Sequence, residues 1–206
     1  MTYLSDVEQD ALNELTNIGV SKAATALSHL VNEEITLDIP SVRITTQDDV
    51  MSLISQNMND DIVAISEHFS GSFHGNGLLI FSKSSSVELV QCLLPEATPL
   101  ENLTELEQDA LTEVGNIILN ACLGTYSNIL SQDLRTELPI LFNGNHAQLA
   151  SSISNLSTLK QLVILLNVTF TIEKKNVKGY LIFLMDLNSE KSFLKYVKDY
   201  VEGIKS

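Results

Sequence analysis

Between residues 6 and 31 the positions Leu12, Leu15, Gly19, Ala23, Ala26 and Leu30 follow one another at steps of three and four. That spacing makes one apolar stripe on a 3.6-residue helix. Asp10, Glu14, Asn17 and Ser21 then fall on the opposite side. The pattern returns between residues 104 and 130. There Leu111, Val114, Ile118, Cys122, Thr125 and Ile129 make the apolar stripe, and Asp109, Glu113, Asn116 and Asn120 lie opposite. After each long helix the period changes. Residues 33–46 read as strand interrupted by Pro40, which places them at a sheet edge or a bulge. Residues 48–55 read as a short helix with Asp48 as N-cap. Strands follow at 61–73 and 78–82, joined by a turn at 74–77, and then a serine-capped helix at 84–94. The second half predicts the same order: strand around Pro139, helix near 148–154, strand 161–173, turn 174–179, strand 180–187, and a last helix from 189 to about 201.

The two halves also repeat in sequence. Asp10-Ala-Leu-Asn-Glu-Leu-Thr-Asn17 and Asp109-Ala-Leu-Thr-Glu-Val-Gly-Asn116 agree at five of eight positions. Glu14 to Glu113 and Asn17 to Asn116 both span 99 residues, and a proline follows each asparagine by 23, at Pro40 and Pro139. A long repeat in register implies one unit used twice. The hairpin offset from Gly77 to Gly179 is 102, so three residues were gained, most simply in the second turn. The stretch 95–102, with Pro95 and Pro99, is the one linker-like segment. We therefore expect an α+β fold: two similar α-β-α-β-β-α halves, about 1–98 and 99–206, related by a pseudo-two-fold within one domain. They share a largely antiparallel sheet, with the two long helices carrying Glu14, Asn17, Glu113 and Asn116 on a solvent-facing side.

Composition narrows the function. Twelve Lys and Arg against 26 Asp and Glu give a net charge of −14, a surface that repels nucleic acid backbones and anionic membranes. The opening residues are polar and acidic, with no secretion signal, and the longest apolar run, 162–166, is far too short to span a bilayer. Cys92 and Cys122 form no disulfide framework and read as buried free thiols, which fits a cytoplasmic protein. His29, His68, His74 and His146 are scattered without metal-ligand spacing. No phosphate loop or serine nucleophile elbow is present, and Gly71, Gly75 and Gly77 read as turn residues.

The doubled Glu-x-x-Asn is the remaining chemistry. A carboxylate and an amide three apart on a helix are neighbours. An amide has no useful acid or base pKa, but it donates and accepts and can orient a water for in-line attack on phosphorus. A glutamate can pair with a partner's lysine. Since the chain supplies no obvious site for a phosphate or a metal, the partner would bring both.

Asp-x-x-x-Glu-x-x-Asn-(x22)-Pro, present twice, resembles the CheC family of chemotaxis phosphatases, related to the CheX and FliY proteins. The match runs through Asp10, Glu14, Asn17 and Pro40 and again through Asp109, Glu113, Asn116 and Pro139. Asn17-Ile-Gly19 and Gly115-Asn-Ile117 agree as well. The resemblance implies dephosphorylation of a CheY-like response regulator. Asn17 and Asn116 would position the attacking water, and Glu14 and Glu113 would contact a lysine of the receiver, which also carries Mg²⁺. No cofactor is implied on this chain. CheD, a deamidase-type protein, binds some members. Two sites in one chain favour the CheC type. The alternative is a non-catalytic module that binds or sequesters a phosphorylated receiver. Thr16 and Lys22 depart from the glycine-rich pattern of the family's first sites, so we expect them to obstruct the first site, and Gly115 to leave the second open.

Overall fold

The computed structural model describes residues 4–39, 42–58, 61–94, 104–156, 161–172 and 175–205. The elements run α1 (Asp6–Val31), β1 (Ile35–Asp38), β2 (Val42–Thr46), α2 (Gln47–Asn57), β3 (Ile62–Gly71), β4 (Gly75–Ser82) and α3 (Lys83–Leu93). The second series is α4 (Glu105–Ile129), β5 (Leu134–Thr136), β6 (Ile140–Gly144), α5 (His146–Leu156), β7 (Gln161–Ile172), β8 (Lys175–Asp186) and α6 (Leu187–Lys205). The predicted order of elements holds in both halves. Pro40 and the linker 95–102 lie outside the described residues.

Both long helices begin with a capping box, in which a hydroxyl accepts an N–H of the first turn and a glutamate reaches back. Ser5 pairs with Glu8 in α1, and Thr104 with Glu107 in α4. These residues also stand 99 apart, so the repeat includes its own start signals. One cap assignment differs from expectation and one agrees with it. Thr46, not Asp48, caps α2, because its hydroxyl accepts the Asp49 N–H. Ser82 caps α3 by accepting from Ser85.

The sheet is antiparallel at every described pairing and runs β1-β7-β8-β4-β3-β5, with β2 also on β7 and β6 also on β3. Each half's short strands thus border the other half's hairpin. The halves meet where β4 pairs with β8, Leu79 opposite Leu181. That arrangement is the expected pseudo-two-fold. Alternation along the strands divides the core. Val63, Ile65, Leu79, Phe81, Ile164, Leu181 and Phe183 face α1, α3, α4 and α6. Ala64, Ile80, Val163, Leu165 and Ile182 face α2 and α5.

The hairpins correct the turn assignments. Gly75 and Gly77 lie inside β4, and residues 175–179 lie inside β8. A Cβ on Gly75 would stand 2.0 Å from the Leu184 carbonyl oxygen, and one on Gly77 would stand 2.7 Å from Leu119 of α4. These glycines permit close approach, not a turn. Register also moves the inserted residues. Thr136 pairs with Phe69, while Leu37, 99 residues before Thr136, pairs with Phe170, 101 after Phe69. Gly75 pairs with Phe69 and Val177 with Phe170, an offset of 102. Two of the three extra residues therefore precede β7, and the turn gained one.

On α1 the apolar stripe shifts toward Leu27 and Val31 in its last turns. Leu12, Leu15, Gly19, Ala23 and Leu27 are buried, but Ala26 and Leu30 are exposed. Cys122 is buried and Cys92 only half-buried, and neither is in a disulfide.

Two glycines of α4 make opposite predictions. A Cβ on Gly115 would meet Ile65 Cγ2 at 2.4 Å, whereas one on Gly124 meets nothing within 4 Å. Gly115→Ala should destabilise by about 1–3 kcal/mol through overpacking. Gly124→Ala should stabilise by up to about 1 kcal/mol, the helix propensity difference. Urea unfolding of the two variants checks this; a loss of stability in both, or in neither, contradicts the packing described.

Candidate functional site: two carboxylate–amide pairs on adjacent helices

Helices α1 and α4 lie side by side on one face of the sheet. At their crossing a Cβ on Gly19 would stand 2.8 Å from Cys122 Cα. One turn away, the Thr16 and Tyr126 hydroxyls are 2.9 Å apart, and Thr16 also donates to the Leu12 carbonyl at 2.7 Å. Tyr126 is fully buried, with edge-on contacts to Phe183 and Phe193. Burial pushes the Tyr126 phenol well above its usual range and the Cys122 thiol up to about 12. Neither group ionises near neutrality, so both belong to the packing.

This contact turns the polar stripes outward. Asp10, Glu14, Asn17 and Ser21 are all exposed on α1. Asp109 and Glu113 are exposed on α4, and Asn116 and Asn120 are half-buried. The neighbours of the amides are not as expected. Thr16 is fully buried, so it obstructs nothing at the surface. Gly115 is buried too, and its missing side chain admits Ile65 of β3. The Gly/Thr difference between the sites is therefore a packing difference. Lys22 is exposed, with its ammonium 3.4 Å from Thr125 Oγ1.

The two sites differ in how their amides are held. Glu14, Asn17, Ile18, Ser21, Lys22 and Thr25 line an open depression on α1. The Asn17 side chain makes no hydrogen bond to another described residue. On α4, Asn120 donates through Nδ2 to Asn116 Oδ1 at 2.8 Å and to the Asn116 carbonyl at 3.0 Å. Asn116 Nδ2 lies 3.4 Å from Glu113 Oε2. Thr136 of β5 donates to Asn120 Oδ1 at 2.8 Å.

Beneath this network lies Glu67 of β3, only 1% exposed, both carboxyl oxygens buried without a well-formed hydrogen bond. Burial raises its pKa, and the Thr136 hydroxyl and the Asn120 amide pull the other way. The alternation Val63, Ile65, Glu67, Phe69 puts a carboxyl on the core face of a strand; that pattern was the signal in the sequence, and it was missed.

A second polar cluster joins His74, Asp186 and Ser189. His74 Nε2 is 2.7 Å from Asp186 Oδ2, and Ser189 Oγ is 3.0 Å from His74 Nδ1. Asp186 accepts the Asn188 and Ser189 N–H groups, and Ser189 accepts the His74 N–H. Burial would raise the Asp186 carboxyl, but the Ser189 amide and His74 outweigh it and hold it low. With Ser189 buried, the cluster caps α6 and ties it to the β3–β4 connection. Among the described residues no group of three or more His, Cys, Asp or Glu side chains converges as a metal site, and no helix is long and apolar enough to cross a membrane.

Comparison with known proteins follows the same lines. The CheC-like family model matches residues 7–42. The flagellar motor switch phosphatase FliY of Bacillus subtilis is 28% identical over 140 residues, covering 66% of this chain and 35% of that protein. The chain thus spans about a third of that relative's length. The CheY-P phosphatase CheC of Bacillus subtilis is 21% identical over 198 residues, 93% of this chain and 94% of that one. Thermotoga maritima FliY has the same fold, with a TM-score of 0.76 and 20% identity over 97% of this chain and 100% of that chain. These matches bear out the resemblance to CheC-type chemotaxis phosphatases carried by the doubled motif.

Glu67 makes a pH prediction. Its native pKa is raised, so the folded protein keeps the proton at pH values where the unfolded chain has lost it. Stability then falls as pH rises from the ordinary glutamate range through the native value. Glu67→Gln does not titrate and should remove that decline, gaining on the parent toward alkaline pH. Urea midpoints at acid and at mildly alkaline pH provide the check; parallel profiles for the two proteins contradict it.

Proposed function

We propose that the chain is a phosphatase acting on the aspartyl phosphate of a CheY-like response regulator. The observation that carries this reading is the occurrence of Glu14/Asn17 and Glu113/Asn116 at equal positions of two like helices, with Glu14, Asn17 and Glu113 exposed and Asn116 half-buried. The names of the two Bacillus relatives support it at the level of the family. In this reading a receiver docks against one helix. The asparagine amide enters its acid pocket and holds a water in line with the phosphorus–oxygen bond. Water oxygen attacks phosphorus, the bond to the aspartyl oxygen breaks, the receiver's aspartate carboxylate is restored, and inorganic phosphate carrying the water oxygen leaves. The glutamate engages a lysine of the receiver, as the resemblance implies. The amide transfers no proton, so its contribution is position.

Mg²⁺ enters as part of the receiver, where it balances the phosphoryl charge. The protein alone is expected to show negligible Mg²⁺ binding by calorimetry, while the reaction with phospho-receiver stops on chelation. A tight Mg²⁺ site on this chain would contradict that division.

The two sites should contribute unequally. Asn116 is already held by Asn120 at 2.8 Å, whereas the Asn17 side chain has no hydrogen bond to another described residue. An orienting group displaced by about 1 Å can lose roughly 10²-fold in rate. Asn116→Ala should therefore remove more than half of the phosphatase activity, Asn17→Ala less, and the double change all of it. Asn17→Ala, at an exposed position, should shift stability by no more than about 0.5 kcal/mol. The assay is decay of phospho-receiver at matched protein concentrations. A larger loss from Asn17→Ala reverses the asymmetry, and full activity in the double variant removes the assignment.

A further inference from the structure

The hydrogen bonds around the second site run in one direction. Asn116 Nδ2 points to Glu113, Asn120 Nδ2 donates to Asn116 Oδ1, and Thr136 Oγ1 donates to Asn120 Oδ1. An amide cannot reverse one of its bonds without reversing the other. Each donor in the chain thus supports the next: Asn120 is oriented from one side by the Asn116 carbonyl and from the other by the Thr136 hydroxyl, and through Asn120 both bear on Asn116. Glu67 is the buried group behind Thr136 and Asn120. Buried polar groups without partners are rare and call for an explanation.

We propose that Glu67 is the positioning residue of the second site, acting through Thr136 and Asn120 to fix the amide of Asn116. The proposal rests on the phosphatase reading given above. A neutral Glu67 can donate its acid proton to Thr136 Oγ1, whose own hydrogen is committed to Asn120. An ionised Glu67 can only accept. It would draw the Thr136 hydrogen to itself and release Asn120 Oδ1, leaving the Asn120 amide held from its Nδ2 side alone. The surroundings favour the neutral form. Gly77 lies opposite Glu67 on β4, β5 contributes Thr136 and α4 contributes Asn120, and among the described residues burial outweighs the pull of these two polar side chains.

The first half has no such device, although its backbone repeats the second. Asn120, Thr136 and Glu67 correspond to Ser21, Leu37 and Val168, by the offsets of 99, 99 and 101 that the repeat and sheet register give. Leu37 and Val168 are apolar and pack in the core. Neither can pass a hydrogen bond on toward Ser21 and Asn17. A carboxyl placed in the core on one side only, under the amide that is held, is what the proposal explains.

The test uses the full chain carrying Asn17→Ala, so that only the second site reports. Glu67→Val introduces the side chain that the first half has at the equivalent position. It should lower kcat toward phospho-receiver about fivefold, the rate equivalent of one neutral hydrogen bond, with KM unchanged. Glu67→Gln keeps a donor toward Thr136 and should recover at least half of that loss. It should also abolish the fall in kcat at alkaline pH expected of the parent. A second readout is independent of activity: nitrogen-15 relaxation of the side-chain amides. Asn116 should be ordered in the parent, more so than Asn17 in the unsubstituted chain, and should lose that order in Glu67→Val. Unchanged kcat together with an ordered Asn116 amide in Glu67→Val overturns the proposal, as does a Glu67→Gln variant as impaired as Glu67→Val. If the parent fails to speed receiver decay at all, the phosphatase reading falls, and the amide relaxation alone still upholds or overturns the role of Glu67.

Discussion

The close crossing of α1 and α4 is the constraint on which the candidate site depends. It is possible because Gly19 has no side chain where α1 meets the Cys122 backbone. The hydroxyl pair of Thr16 and Tyr126 then joins the helices at 2.9 Å in a region where an unpaired hydroxyl would be costly. With those faces turned inward, the residues about half a turn away must face out, and they are the Glu-x-x-Asn pairs. The eight-stranded sheet beneath completes the arrangement, because each half's short strands pair with the other half's hairpin. Neither half could close its own sheet edge in this way, so the two helices are brought together by strands from both.

The symmetry is one of backbone, and the core departs from it where the sites differ. Thr16 and Gly115 are equivalent by the 99-residue offset. One carries a hydroxyl to Tyr126, and the other makes room for Ile65. Glu67 has an apolar counterpart, and so does Thr136. The surface motif was kept in both copies while the layer below it diverged. A difference in activity between such sites would arise from how firmly each amide is held, not from the residues a receiver first meets.

Much of this was legible in the sequence because it is periodic or repeated. The three-and-four spacing of Leu12, Leu15 and Gly19 gave α1 and its outward face, and the offset of Asn17 from Asn116 gave the second site. The element order followed from the same offset. What was illegible depends on contacts distant in sequence. Thr16 next to an exposed asparagine reads as a surface residue, until Tyr126, 110 residues on, is found against it. Gly75 and Gly77 read as a turn because glycine favours turns, yet they lie in a strand where β8 and α4 come close. The network at Asn116 joins β3, α4 and β5 and has no local signature beyond one glutamate among alternating apolar residues.

The central claim, that this chain turns over a phosphorylated receiver, is tested most directly by the decay of a phosphorylated CheY-like protein with Mg²⁺ and the unsubstituted chain at a small fraction of its concentration. The account predicts that many equivalents of receiver are dephosphorylated per chain, faster than the receiver loses its phosphate alone. Decay that is unchanged, or slowed in proportion to the amount of chain added, would mark a binding module and contradict it.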